Sequence, residues 1–330
     1  MDQAITFVCC IEFGRLESQT ILMISTLRAN AGRLSKSRVI VVSPRMGPSL
    51  SAGTMDTLRD LGAELVSARR ENPAPWYNFS NKIAAINIAE KMSTTPLVAW
   101  LDSDVLISAE PTDLLLESDV DFAARGEYLV PAVYEGVSEH VPYWESMCSL
   151  AGLRITDLPF IDYDHPDVRF RCYFNAGIYV WRRGKNFPQT YLRLFKAGLD
   201  SRAVVHDGNV FMTDQVLLSV VVMKLKFRWK HLTFKENHMT FPGQIEGVSK
   251  SPPMTGSSLI HYSASLNAPH RDSFIRRLEV EVPHLLPAVQ GSLRPRSATL
   301  VQRAMEIWFR GIRKTRLRAF AKAAIPAPKG

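Results

Sequence analysis

Residues 96–107 read PLVAWLDSDVLI. Leu97 to Leu101 are apolar without alternation, the pattern of a strand buried on both faces. Asp102 and Asp104 follow at once, with Ser103 between them. Two neighbouring carboxylates repel and raise each other's pKa unless a cation offsets them. Two readings stand. The acids form a turn or cap the next element, or a rigid strand end aims them at a hard divalent ion, Mg²⁺ or Mn²⁺, that also holds phosphate oxygens.

The segments before this stretch alternate. Residues 4–11, 39–42 and 64–67 read as strands, and 18–29, 51–61 and 78–91 as helices, with Gly62 closing the second helix. Strand–helix alternation with short connections predicts an α/β fold whose parallel sheet is covered on both faces. Its ligand would lie beyond the carboxyl ends of the strands. Further on, 121–124, 172–181, 227–233 and 258–262 read as strands and 189–197 and 213–225 as helices. Residues 126–170, rich in Pro, Tyr, Asp and His, read as a functional loop region.

Three DxD triplets occur: Asp102/Asp104, Asp119/Asp121 and Asp162/Asp164. Sixteen aspartates make such a triplet expected by chance, so context must separate them. Only the first directly follows a buried strand of a βα unit. Other stretches add chemistry. In CYFNAGIYVW (172–181), Gly177 weakens a strand, as a glycine does where a ligand or another backbone comes close or where the strand bulges. Asn175 carries an amide suited to sugar hydroxyls. In MTDQVLL (212–218), Asp214 and Gln215 occupy a first helical turn, where an acid is favoured in any case. In LIHY (259–262), His261 ends a short strand; a lone His is usually structural, yet neutral imidazole binds Mn²⁺. Lys82, in SNKIAAINIA, starts the helix before the central strand and could reach a phosphate or the Asp pair.

Taken in order, SNKIAAI, VAWLDSDVLI, YFNAGIYVW, TDQVLL and LIHYSA resemble glycosyltransferases of the GT-A fold, above all family 8, the glycogenin and bacterial galactosyl/glucosyltransferase group. The resemblance runs to about residue 265. It implies a GT-A (Rossmann-like) mixed sheet flanked by helices over residues 1–290. It also implies hexose transfer from a nucleotide-sugar, usually a UDP-sugar, with Mn²⁺ or Mg²⁺ and with retention at the anomeric carbon. Carried over by position, Asp102 and Asp104 ligate the metal, Ser103 lies with them at the donor, and His261 is the third metal ligand. Asn175 and Gly177 lie near the sugar, and Asp214 and Gln215 contact it or flank the reacting carbon. Lys82 faces the donor side of the acids, and residues 11–14, beginning Ile11-Glu12, cradle the base. The family's HxxGxxKPW ending is replaced by HYSASLNAPH, so Arg271 or His270 is expected to serve the diphosphate. A glycan, lipid-linked or protein acceptor is expected over 126–170, with Tyr128, Tyr134, Tyr143 and Trp144 stacking on sugar faces, or packing as ordinary core. The rivals are an inactive carbohydrate- or nucleotide-sugar-binding module of the same fold and a sugar nucleotidyltransferase. The latter needs a Gly-rich basic loop after the first strand, where IEFGRLES has one glycine. No GxGxxG follows that strand, which disfavours a dehydrogenase.

The chain of 330 residues is 46% hydrophobic and 22% charged, with net charge +8. The surplus is local. Residues 294–330 hold ten Arg or Lys against Glu306 alone, leaving 30 basic and 31 acidic side chains elsewhere. Val301, Ala304, Met305, Trp308 and Ile312 fall on one helical face, ringed by Arg303, Arg310, Arg313, Lys314, Arg316, Arg318 and Lys322. Residues 291–330 therefore read as a basic amphipathic tail, set off by Pro283, Pro287 and Pro295. It suits an anionic membrane surface or packs on the body through Trp308. The near-neutral body disfavours nucleic acid. No window approaches the ~18 apolar residues of a membrane span. MDQAITFVCC lacks a basic leader region, and Cys9, Cys10, Cys148 and Cys172 show no CxxC spacing. A cytoplasmic protein with buried thiols, peripheral on the inner face of the membrane, is expected.

Overall fold

The structure, a computed structural model, describes residues 4–137, 139–162, 169–205, 212–240, 252–292 and 298–327. The alternating half runs β1 (Ile5–Cys10), α1 (Arg15–Asn30), β2 (Arg38–Ser43), α2 (Ala52–Asp60), β3 (Ala63–Ser67), α3 (Ser80–Met92) and β4 (Leu97–Leu101). Next come β5 (Val105–Ile107), β6 (Phe122–Gly126), α4 (Val141–Ser149), the short pair β7 (Phe160–Ile161) and β8 (Phe170–Arg171), and β9 (Phe174–Arg182). They are followed by α5 (Phe187–Ser201), β10 (Ala203–Val204), α6 (Thr213–Lys224), β11 (Trp229–His231), β12 (His238–Met239) and β13 (Leu259–His261). The chain closes with α7 (Arg271–Glu281), α8 (Leu286–Ser292), α9 (Leu300–Ala323) and β14 (Ile325–Pro326).

Seven strands form the main sheet in the order β11-β6-β9-β4-β1-β2-β3. Strands β4, β1, β2 and β3 are parallel, as the alternation predicts. Strand β9 runs antiparallel to both β4 and β6, so the sheet is mixed. Alternate residues of β1 serve two separate cores. Val8 and Cys10 face α3, α5 and α6, while Phe7 and Cys9 face the α1 side. All four cysteines are buried free thiols. Helices α3 and α6 are buried nearly all round, because the sheet lies on one side of them and α5 on the other.

A smaller sheet, β12-β13-β5, lies beside the carboxyl end of β4. Leu106 and Ile260 anchor it on Phe274 and Leu278 of α7. Because successive strand residues face opposite ways, burying Ile260 there turns His261 back toward the main sheet.

The tail forms a helix, but not with the expected face inward. Val301 and Trp308 are 68% and 61% exposed, so Trp308 does not pack on the body. The half-buried positions are Gln302, Glu306, Phe309, Arg313 and Phe320, a stripe spaced by threes and fours. Gln302 Nε2 donates to the Ser49 carbonyl at 3.0 Å, and Phe320 lies on Trp76 with ring centroids 4.9 Å apart. The body offers a carbonyl and an aromatic ring there, which a polar and aromatic stripe satisfies better than an aliphatic one. Strand β14 then pairs with β10. Among the described residues no helix is long and apolar enough to cross a membrane.

Candidate active site

Strand β4 ends beside β1, with Val8 opposite Trp100. The Asp-Ser-Asp segment is pinned to that end. Ser103 Oγ donates to the Cys10 carbonyl at 2.8 Å, and Thr20 Oγ1 donates to Ser103 Oγ at 3.2 Å. The Asp102 amide donates to the Gly177 carbonyl at 2.8 Å, and Asp102 Oδ1 accepts from Trp100 Nε1 at 2.8 Å. Asp102 therefore does not cap a helix; it is fastened at a strand end with its second oxygen free of that bond. Asp104 leads straight into β5, and its carbonyl accepts the Tyr262 amide at 2.9 Å. Val105 then lies opposite His261 in the antiparallel β5–β13 pair.

This pairing brings His261 to the acids. His261 Nε2 lies 3.3 Å from Asp104 Oδ1 and 4.0 Å from Asp102 Oδ2. One ligand atom from each of the three residues falls within 4.8 Å of the others. The acids keep about a quarter of their side chains open, 26% and 24%, while His261 is buried. Gly177 makes the approach possible. A Cβ there would lie 2.3 Å from His261 Cε1. Both readings of that glycine are realised: the close approach, and a register shift in the β6–β9 pair, where Ala124 lies opposite Tyr179 and Gly126 opposite Phe174.

Charge is distributed unevenly. Burial raises the Asp102 pKa; Lys82 opposes this and Asp104 adds to it. Burial works the same way on Asp104, but His261 outweighs it and holds that carboxyl below its usual value. Burial disfavours the His261 cation, yet Asp104 and Asp102 raise its pKa overall. Lys82 Nζ lies 3.8 Å from Asp102 Oδ1 and 3.2 Å from Asp214 Oδ2, and donates to the Ala176 carbonyl at 3.0 Å. Burial raises the Asp214 pKa, partly countered by Lys82. Asp214 is 1% exposed, and its Oδ1 has no hydrogen-bond partner among the described residues.

Two expected sugar contacts, Gln215 and Asn175, lie one layer deeper than the sequence reading places them. Gln215 Oε1 accepts the Ala176 amide at 3.0 Å and its Nε2 donates to the Tyr173 hydroxyl at 2.7 Å. Asn175 Nδ2 donates to Glu127 Oε2 at 2.9 Å, and its Oδ1 accepts from the Gly177 amide and from Asn237 Nδ2, both at 3.0 Å. Asn175 thus holds the 175–177 backbone instead of presenting an open amide. Glu127 and Asn237, which fix it, carry no sequence signal. Ile11 is fully buried, its amide donating to the Val42 carbonyl at 2.9 Å. Glu12 accepts from Asn81 Nδ2 at 2.7 Å and from Arg45 Nη2 at 2.9 Å.

A cavity of about 740 Å³ opens at the segment after β1, with Glu12, Phe13, Arg15, Trp76 and Tyr77 in its wall. Arg15 also acts on Asp104, helping to hold its pKa down, after the larger effects of burial and His261. The sequence reading missed it, since its one local signal is its place behind Gly14, whose φ of 95° turns the chain into α1. Arg271, expected to serve the diphosphate, instead donates to the Leu266 carbonyl at 3.1 Å.

Tyr143 and Trp144 take the second of the two expected places, in the core. Both lie in α4, buried, with Tyr143 Oη bonded to Thr213 Oγ1 at 3.0 Å and Trp144 Nε1 donating to the Pro131 carbonyl at 2.7 Å. They are core and cannot stack on a sugar. Tyr128 and Tyr134 are half-buried, the Tyr134 hydroxyl donating to the Tyr128 carbonyl. Asp121 is paired with Lys185 at 2.7 Å, and Asp164 lies outside the described residues.

A mixed sheet flanked by helices, with paired acids at the end of a central strand, is the arrangement of the GT-A fold. The fold agrees with solved structures. The galactosyltransferase LgtC, solved with donor and acceptor sugar analogues, superposes with a TM-score of 0.51 at 14% identity, over 91% of this chain and 99% of that one. The bifunctional glycosyltransferase WbbM gives 0.49 at 14% identity, over 88% of this chain, which spans only 52% of that protein. GlyE of Streptococcus pneumoniae gives 0.44 at 16%, over 90% and 67%. No curated protein matches the sequence. The chain belongs to the Rhodobacterales glycosyltransferase domain family, whose model matches residues 7–226.

Proposed function

We propose that this glycosyltransferase moves a hexose from a nucleotide-sugar, a UDP-sugar, to a glycan or lipid-linked acceptor with retention, and that it uses Mn²⁺ or Mg²⁺. The convergence of Asp102, Asp104 and His261 beside an aromatic and basic cavity carries this reading. The donor set fits such an ion: two part-open carboxylates and an imidazole, with Lys82 near Asp102 and Arg15 near Asp104. When bound there, the ion would supply Lewis-acid neutralisation of the diphosphate leaving group.

The chain's own residues do the rest. Ser103 and the Asp102 amide hold the acids rigidly against β1 and β9. Lys82 links Asp102 to Asp214 and so fixes the floor beneath the sugar. Gln215 and Asn175 shape the 175–177 backbone that faces it, and Asp214 steadies positive charge developing at the anomeric carbon. Phe13, Trp76 and Tyr77 give apolar surface to a base. Residues 1–290 form the transfer domain in this reading and 291–330 an appended segment. Leu300, Val301, Ile307 and Trp308, exposed among cations on α9, would lie on the anionic inner face of a cytoplasmic membrane. Sedimentation with anionic and neutral vesicles tests that placement; equal binding to both, or to neither, refutes it.

Turnover of UDP-glucose and UDP-galactose with Mn²⁺ tests the main reading. Asp104→Ala should lower it at least ~100-fold, the order expected when a positioned electrostatic group is lost. Equal turnover in both proteins removes the proposal. UDP binding that ignores the metal, with no turnover, would favour the inactive binding module.

A further inference from the structure

The cavity beside the acids is not built from the body alone. Its outer side is α9, which lies beyond the part of the chain that matches the family. Three cations come from the helix, Arg310, Arg313 and Lys314, and three from the body, Arg15, Arg45 and Arg69, against only Glu12 and Glu306. The glutamates are already engaged: Glu12 with Arg45 and Glu306 with Arg310. Among the described residues Arg313 is left with no carboxylate within ion-pair distance; its one hydrogen bond is a long one, 3.5 Å, from Nη1 to the Met46 carbonyl. It is half-buried under this load of like charge. Burial and then Arg45 lower its pKa, with Arg310 adding, and the more distant Glu12 and Glu306 oppose this without reversing it.

We propose that α9 is the outer wall of the donor-nucleotide site and that Arg313 binds the anionic part of a nucleoside diphosphate there. This rests on the donor reading above. The volume fits a nucleotide. The lining pairs aromatic faces with unmatched guanidinium groups, which suit bases and phosphates respectively. Arg15 joins the cavity to Asp104, so one ligand spans both. Arg313 thereby takes up a cationic duty that the missing late lysine of HxxGxxKPW leaves open. The tail is then part of the transfer site as well as a surface for other contacts.

Calorimetric titration of the full chain with UDP and with GDP, each with and without Mn²⁺, tests this. Arg313→Gln should weaken the bound nucleotide about tenfold or more, while direct Mn²⁺ binding without nucleotide stays unchanged. Arg313→Lys should recover part of the loss. Arg316→Gln, which removes the same charge from an exposed position of the same helix, should stay within twofold. In hydrogen exchange, UDP should protect the α9 amides of the wild type. Wild-type binding of UDP with equal affinity in Arg313→Gln overturns the inference and leaves the donor reading standing. Tighter binding by Arg313→Gln would make α9 an obstruction and also overturns it. A wild type that binds neither nucleotide overturns both.

Discussion

The strand end at Asp102–Asp104 and the helix α9 are held to the molecule in different ways. The acids are fixed from every side: by β1 through Ser103, by β9 through Gly177, by β13 through the Asp104 carbonyl. Helix α9 has no fully buried residue, and one stripe and one short strand pair attach it. A site that must hold ligand atoms to fractions of an ångström is built on the strands. The proposed nucleotide wall is built on an element with a small interface. Changes at the acids should therefore be severe and local, and changes on α9 mild and dependent on which face they touch.

The largest effect should come from Lys82. Its ammonium is the cation for Asp214, which is 1% exposed. Lys82→Met leaves that carboxylate buried and unpaired, at a cost of about 3–5 kcal/mol. Urea unfolding measures it. A loss below about 1 kcal/mol would mean that the strand-end region is no more tightly determined than the tail.

Gly177→Ala sharpens the contrast by a different route. The added Cβ must displace His261, since the Gly177 carbonyl is held by the Asp102 amide and its own amide by Asn175 Oδ1. Mn²⁺ affinity should fall by about 10–100-fold, the range seen when groups that orient a metal ligand are lost. Manganese titration followed by electron paramagnetic resonance reads this directly. Unchanged affinity would remove His261 from the ligand set.

Acid should act on the body and spare the helix, which carries no histidine. Burial, with Arg125 adding, pulls the His231 pKa down to about 3, and burial with Arg277 and Arg125 pulls His238 to about 4. Both lie below the ordinary 6.5. Above that value both states are neutral and nothing is lost. As pH falls below it the unfolded chain takes up protons that the folded chain refuses, so stability drops toward pH 4. One such group costs up to about 2 kcal/mol at pH 5. His231→Gln should flatten the slope of unfolding free energy against pH between 6.5 and 5. An unchanged slope would show that His231 is not held neutral.

The strand end was legible because a strand covered on both faces must be an unbroken apolar run, and 97–101 is one. Its partner His261 was not legible from local pattern, because its place depends on β5 and β13 pairing across nearly half the chain. Only the resemblance linked them. The antiparallel course of β9 was equally hidden, since residues 172–181 look the same run in either direction. Tyr143 and Trp144 stayed open between sugar stacking and core because Pro142 starts a short helix with little periodicity to read. Periodicity did locate α9, but it reports which residues share a face and not which face the body prefers. With Trp76 and the Ser49 carbonyl as the docking ground, the polar stripe was the better match.

That reversal of faces yields the smallest prediction and the one that decides how α9 is mounted. Phe320 is half-buried on Trp76, so Phe320→Ala removes an aromatic pair worth about 1 kcal/mol beyond its area. Trp308 is the larger ring, but it is 61% exposed and touches mainly its neighbour Phe309. Trp308→Ser should leave stability within about 0.5 kcal/mol. If residue size governed, the order would be reversed, so the two variants compared in one urea series separate orientation from bulk. A greater loss for Trp308→Ser would mean that the aliphatic stripe faces the body. Arg313 would then point to solvent, and both the donor-wall inference and the exposed surface offered to a membrane would fall together.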